Sequence, residues 1–118
     1  MQKLRLTDKT VVEFNIIGNP NTWEISPMLL IPFIENAFKY GVSNEAKTCI
    51  KINLEIGEET LEFRVQNDIL PDKVRIAESN QIGINNVKNR LALIYGNRYH
   101  LDIKEAEKQY QVHLKIFA

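Results

Sequence analysis

Cysteine is nearly absent: Cys49 is the only one in 118 residues, so no disulfide can form within the chain. That composition fits a reducing cytoplasm. Cys49 sits in a strand-like run from Lys47 to Ile56 with no second thiol beside it, the setting of an inert packing residue. Neither sign of charge prevails, since 15 Lys and Arg are matched by 15 Asp and Glu. No bulk field therefore draws nucleic acid to the surface, and any polyanion must be held by a local site. No apolar run approaches the ~20 residues that a membrane span requires, and no secretory leader is visible. The most apolar stretch, Met28 to Ile34, has the length of a buried helix segment. Glycine and proline are sparse, 5 and 4 residues, and they form no linker, repeat or low-complexity tract.

What is present is one ordinary domain over residues 1–118, with 44% hydrophobic residues to build a core. Leu4 to Leu6 and Val11 to Ile17 read as two strands around the turn Thr7-Asp8-Lys9, and Gly18-Asn19-Pro20-Asn21 ends the pattern. Ser26-Pro27 then opens a helix, serine as N-cap and proline at the first helical position. This helix is predicted to reach Tyr40, with Gly41 closing it and Pro32 bending it slightly. Ile50, Ile52, Leu54 and Ile56 alternate with polar residues, as do Leu61, Phe63 and Val65 beyond the turn Gly57-Glu58-Glu59. Asp68 to Gln81 has no period, which in a small domain marks a functional loop. A second helix is predicted over Ile84 to Tyr95, with core residues Ile84, Val87, Leu91 and Ile94 and a cap at Gly96. Tyr99 to Ile103 and Gln111 to Phe117 complete a β-β-α-β-β-loop-α-β-β order. This is an α+β two-layer sandwich, its mixed, mainly antiparallel sheet covered by helices on one face.

Polar residues concentrate at one place on the first helix. Glu35, Asn36, Lys39 and Tyr40 cluster over its last turn and a half, while Ala37 and Phe38 are expected to face the core. An amide oxygen such as that of Asn36 can ligand Mg²⁺, and a lysine one turn along can reach phosphate oxygens. Gly83 stands directly before the second helix, where exposed N–H groups and the helix dipole favour an anion. The long loop between them can close over a ligand.

The run Ile25-Ser26-Pro27-Met28-Leu29-Leu30-Ile31-Pro32-Phe33-Ile34-Glu35-Asn36-Ala37-Phe38-Lys39-Tyr40-Gly41 resembles the N-box of LytS/YehU-type sensor histidine kinases, members of the GHKL ATPases. Ile82-Gly83-Ile84-Asn85-Asn86-Val87-Lys88-Asn89-Arg90-Leu91 with Tyr95-Gly96 is similar to the glycine box and following helix of that family. The resemblance covers the chain from about Leu4 to its end and implies a Bergerat-type ATP-binding fold. It implies that Asn36 ligands Mg²⁺, that Glu35 polarises the phosphoryl end of ATP or its water, and that Lys39 and Tyr40 contact phosphates or ribose. Ile82, Gly83 and Ile84 with Asn86 and Arg90 would hold phosphates, and Asp68 to Gln81 would form the ATP lid. Such a domain transfers the γ-phosphate of ATP to a histidine on an upstream dimerisation helix, outside this chain, for relay to a response regulator of the LytTR type. The parent would be an inner-membrane sensor, with this domain cytoplasmic and no nucleic acid bound.

Three positions depart from that pattern. Asn67 stands where an aspartate usually receives the adenine amino group; its oxygen can accept that bond, although its NH₂ also donates. Gln81 replaces the first glycine of a Gly-x-Gly, and Tyr40 replaces a histidine common in the subfamily. His100 and His113 fall on strands, opposite in facing to Leu101 and Leu114, and are not expected to accept phosphate. A second reading takes the departures at Asn67 and Gln81 as loss of ATP binding and makes the domain a scaffold. The Asn86-to-Leu91 run argues against an anti-sigma-factor kinase or a topoisomerase ATPase.

Overall fold

The computed structural model describes residues 2–19, 25, 29–43, 46–69, 81–106 and 108–117, with the backbone alone at 81 and 82. The Ser26-Pro27 cap and residues 70–80 of the Asp68-to-Gln81 lid lie outside the described residues, whereas Asp68 ends a strand and Gln81 belongs to a helix.

Among the described residues, six strands and two helices follow in the expected order: β1 (Gln2–Arg5), β2 (Thr10–Ile17), α1 (Ile31–Gly41), β3 (Thr48–Ile56), β4 (Thr60–Asp68), α2 (Gln81–Tyr95), β5 (Tyr99–Glu105) and β6 (Gln109–Phe117). They form one sheet in the order β1-β2-β3-β4-β6-β5. Only β2 and β3 run parallel, joined through α1; the remaining pairs are antiparallel. A parallel pair needs a crossover, and α1 supplies it while covering β3 and β4. The sheet is mixed and mainly antiparallel, with its helices on one face.

Period-2 alternation fixes which side chains meet the helices. On β4, Leu61, Phe63, Val65 and Asn67 are buried, and on β6 Tyr110, Val112, Leu114 and Ile116 are buried beside them. The helices contribute Leu29, Phe33 and Ala37 from one side and Ile84, Val87 and Leu91 from the other. Phe33 tilts over Phe63 with ring centroids 6.4 Å apart. Burying a Leu or Phe of this kind contributes roughly 1.5–3 kcal/mol before entropic costs. The opposite face is polar, and its ion pairs, such as Lys115 to Glu62 at 3.5 Å, are surface contacts worth at most about 1 kcal/mol each. His113 lies on that face and His100 is exposed, as their alternation with Leu114 and Leu101 requires.

Several expectations need correction. Helical residues in α1 begin at Ile31, so Pro32 lies in the first turn. An N–H has no intrahelical partner there, and proline neither breaks a bond nor bends the helix. Phe38 packs against the core as expected but is only half-buried. Helix α2 starts at Gln81, which puts Gly83 inside its first turn and not before it. Ile94 is 52% exposed, and the half-buried Tyr95 packs against the core in its place at the frayed end of the stripe. Gly96 does cap α2, with φ +59 and its N–H donating to Ala92 O.

Buried hydroxyls clamp the end of α1 to the sheet. Thr48 Oγ1 donates to the Gly41 carbonyl. Thr10 Oγ1 accepts from Ser43 N at 2.8 Å and lies 2.8 Å from Thr48 Oγ1 and 3.0 Å from Ser43 O, one of which takes its proton. Thr48→Val strips the buried Gly41 carbonyl of its donor, and urea denaturation is expected to show a loss of about 1–3 kcal/mol. Thr48→Ser keeps the hydroxyl and forfeits one methyl, about 0.8 kcal/mol. Equal losses for the two variants would show that the hydroxyl contributes nothing.

Candidate functional site

At 100° per residue, α1 presents three sides. Leu29, Phe33, Ala37 and Tyr40 are buried against the sheet, and Glu35 and Lys39 are exposed. Pro32 and Asn36, one turn apart, occupy the flank that faces α2. Asn36 is itself buried, 7% exposed. Between the helices lies a cleft of about 190 Å³ lined by Pro32, Gly83, Asn86, Val87 and Arg90. The i, i+3, i+7 spacing of Gly83, Asn86 and Arg90 brings these three sequence-chosen residues to one side of α2.

The amides of a helix's first turn have no intrahelical acceptor, and in α2 these include residues 81–83. They end a 15-residue helix whose dipole places partial positive charge there. Gly83 is exposed, and a Cβ built on it would meet nothing within 4 Å, so packing does not demand glycine at this point. Its bareness leaves the amides open to a ligand. The Ile84 side chain, by contrast, is buried in the core at 4% exposure, and Ile84 does not line the cleft. The Ile82 side chain lies outside the described residues.

A second centre forms where α1 meets the end of β4. Gly41 rests directly on the strands: a Cβ there would come 2.9 Å from Ile50 Cγ1 and 3.2 Å from Asn67 Cβ. Asn67 is 1% exposed and pairs across the sheet with Ile50 on one side and Tyr110 on the other. Its Nδ2 donates to the Asp68 carbonyl at 3.1 Å, which fixes the amide and leaves Oδ1 buried with no donor among the described residues. An orphaned buried acceptor costs about 1–3 kcal/mol. Such an atom is suited to a ligand that carries a donor. Tyr40 lies in the floor of this region at 1% exposure, not on the surface as its place among polar neighbours suggested. Its ring meets that of Tyr110 edge-on, centroids 6.1 Å apart.

Tyr110 was not among the residues chosen from sequence. The alternation of β6 does mark it as inward-facing, but its place beside Asn67 follows from β4–β6 pairing between strands distant in sequence. Burial, with smaller effects from Tyr40 and Glu105, pushes its phenol up to about 12. Asn36, Lys39, Tyr40 and Asn67 do not line the α1–α2 cleft. The two centres are linked by α1 itself, and among the described residues no three His, Cys, Asp or Glu side chains converge on a metal. Cys49 takes no part: burial, with Glu13 next, raises its thiol pKa and keeps it protonated.

No protein-family model matches the chain, nor does any curated protein sequence. Solved structures do match. The catalytic domain of histidine kinase ThkA, in a nucleotide-free form, aligns with TM-score 0.62 at 16% identity, covering 90% of this chain and 80% of that one. The histidine kinase domain of the blue-light activated kinase of Erythrobacter litoralis EL346 aligns at TM-score 0.59 and 16% identity, over 89% of this chain and 51% of that chain. The histidine kinase AdeS of Acinetobacter baumannii gives 0.57 and 14%, over 92% and 54%. This chain therefore has the fold of histidine kinase catalytic domains, and it spans about half the length of the latter two chains.

The position of Tyr110 has a measurable consequence. An unfolded tyrosine ionises near 10, whereas folded Tyr110 holds its proton to about 12. Its contribution to stability is complete below pH 10 and is lost as pH rises through 12. Tyrosinate absorbance should show a late step that Tyr110→Phe removes. A titration of the folded wild type without that step would put the ring in contact with solvent.

Proposed function

We propose that this chain binds Mg-ATP and is the catalytic half of a LytS/YehU-type sensor histidine kinase. The observation that carries this reading is the buried, unpartnered Oδ1 of Asn67 at the end of the helix that bears Asn36. The adenine amino group is a donor of the kind that oxygen lacks. With Nδ2 committed to Asp68 O, the asparagine presents an acceptor alone, as the usual aspartate would.

The layout of α1 supports the rest. From Pro32 at the α2 cleft to Gly41 on Asn67 is nine residues, about 13 Å of helix axis. A nucleotide lying along this flank would have its base at Asn67 and its phosphates at the first-turn amides of α2. Asn36, midway, would give its amide oxygen to Mg²⁺, which completes its shell with water and phosphate oxygens. Lys39 would meet phosphate or ribose, Tyr40 would support the base from below, and Asn86 and Arg90 would contact phosphates. Glu35, exposed at the outer edge of α1, would orient the group that receives the phosphoryl. Catalysis of phosphoryl transfer is mostly positioning and charge neutralisation, and these residues supply both. The acceptor would be a histidine on a dimerisation helix outside this chain, and a LytTR-type response regulator would follow. No helix among the described residues is long and apolar enough to cross a membrane. We take the domain as the cytoplasmic part of an inner-membrane sensor.

Calorimetric titration with Mg-ADP tests the reading. Wild type is expected to bind, and a melt at ~100 times the dissociation constant should show about 2.7 kcal/mol of added stability. Asn36→Ala is expected to lose the Mg²⁺-dependent part and Asn67→Leu nearly all binding. Gly83→Ala discriminates further: it should leave the fold as stable or up to about 1 kcal/mol more so, yet weaken nucleotide binding by crowding the amides. Absence of heat for wild type would favour the scaffold reading. Undiminished binding by Asn67→Leu would put the base elsewhere.

A further inference from the structure

We propose that the open face of the sheet carries a second small-molecule site, across β4, β6 and β5, and that it takes the anion of a small hydroxylated carboxylic acid. The inference goes beyond nucleotide binding and does not depend on it, because the site lies on the face opposite the helices.

Alternation decides which side chains meet there. Val65 and Val112 are buried in the core, so Arg64 and Gln66 on β4 and Gln111 and His113 on β6 lie on the other face. Register sets them in two rows. Arg64 stands opposite His113, and His113 opposite Asp102 of β5. Gln66 stands opposite Gln111, and Gln111 opposite Lys104. These six residues line a pocket of about 250 Å³. Pockets for drug-sized ligands hold roughly 300–1,000 Å³, so this one suits a smaller molecule. One atom here lacks a partner: His113 Nε2 is buried and makes no hydrogen bond among the described residues. An imidazole nitrogen either donates or accepts one, and leaving it without costs about 1–3 kcal/mol. Among the described residues no helix packs on this face, so neighbouring side chains are what shield Nε2. Arg64 and Lys104 are 54% and 70% exposed, and side chains of that kind change rotamer readily on binding.

The lining sets the chemistry of the ligand. It holds two cations, Arg64 and Lys104, and one carboxylate, Asp102. The charged residues one position further out on the same face cancel, Lys51 and Lys115 against Glu62 and Asp68. One positive charge is left over, which complements a monoanion and not a doubly charged phosphate. Lys104 has Asp102 to itself at 3.8 Å. Arg64 reaches Glu62 through one nitrogen at 3.3 Å, and Glu62 also serves Lys115 at 3.5 Å. Arg64 is therefore the less committed cation, and its planar fork of N–H donors fits the two oxygens of a carboxylate. Of the remaining groups, Asp102 accepts hydrogen bonds, and the amides of Gln66 and Gln111 both donate and accept. Gln111 Nε2 meets only Gln109 Oε1, at 3.5 Å. Such groups beside His113 Nε2 call for hydroxyls on the rest of the ligand.

The test uses the whole chain without nucleotide, at constant ionic strength, and gluconate as the probe. Sorbitol keeps the hydroxyls without the carboxylate, and hexanoate keeps the carboxylate without the hydroxyls. Gluconate is expected to move the amide chemical shifts of residues 64–66, 102–104 and 111–113 and the imidazole signals of His113, and to bind more tightly than either control. Arg64→Gln, at an exposed position that the fold does not need, should weaken binding by about tenfold or more, the contribution of one charge-assisted hydrogen bond. Arg64→Lys keeps the charge without the fork and should recover only part of that loss. His113→Phe should weaken gluconate as well. Shifts absent or confined to other elements, equal binding of sorbitol or hexanoate, or undiminished binding by Arg64→Gln would overturn the proposal.

Discussion

The seating of the α1 C-terminus on the sheet is the constraint on which the rest depends. Gly41 has no Cβ because Ile50 and Asn67 already occupy that space, and its carbonyl is held by the hydroxyl of Thr48. Thr10 and Ser43 complete the clamp from β2 and from the turn after the helix. A helix fixed this tightly at one end has a fixed rotation about its axis. That rotation turns Phe33 and Ala37 into the core and Asn36 toward α2. The proposed nucleotide flank is a consequence of this one anchoring contact.

The clamp also explains why a polar residue is tolerated at the core end of β4. Asn67 lies beneath the helix end between Ile50 and Tyr110, where most side chains would be apolar. One half of its amide is satisfied by the next carbonyl, and the other half is not. A protein carries such a deficit only where something offsets it, and local strain or unmet bonding of this sort gathers at binding sites. The bare first-turn amides of α2, with the unneeded glycine at position 83, form a matching unmet capacity for anions at the other end of α1.

Much of this was legible in the residues themselves. The alternation in Ile50 to Ile56, Leu61 to Val65 and Gln111 to Phe117 announced strands and named their buried faces. Of the residues picked out by sequence, Glu35 and Lys39 are exposed on α1, and Gly83, Asn86 and Arg90 line one side of the α1–α2 cleft. The misreadings were local and have local causes. Tyr40 was grouped with its polar neighbours, although its angle on the helix puts it beside Phe33. Ile94 continues the apolar spacing, but it is exposed and Tyr95 packs against the core. Glycine commonly marks a helix boundary, whereas Gly83 lies inside the first turn of α2.

By itself, the sequence determined the kinds of element, their order, and which side of each is apolar, because those depend on periodicities of two and 3.6 residues within a short stretch. The tertiary structure alone decided that β4 lies beside β6, that Tyr110 therefore flanks Asn67, and that α1 lies over β3 and β4. Those facts rest on contacts between residues tens of positions apart, and no local pattern records which distant strand will complete a ladder or how far two helices reach across six strands.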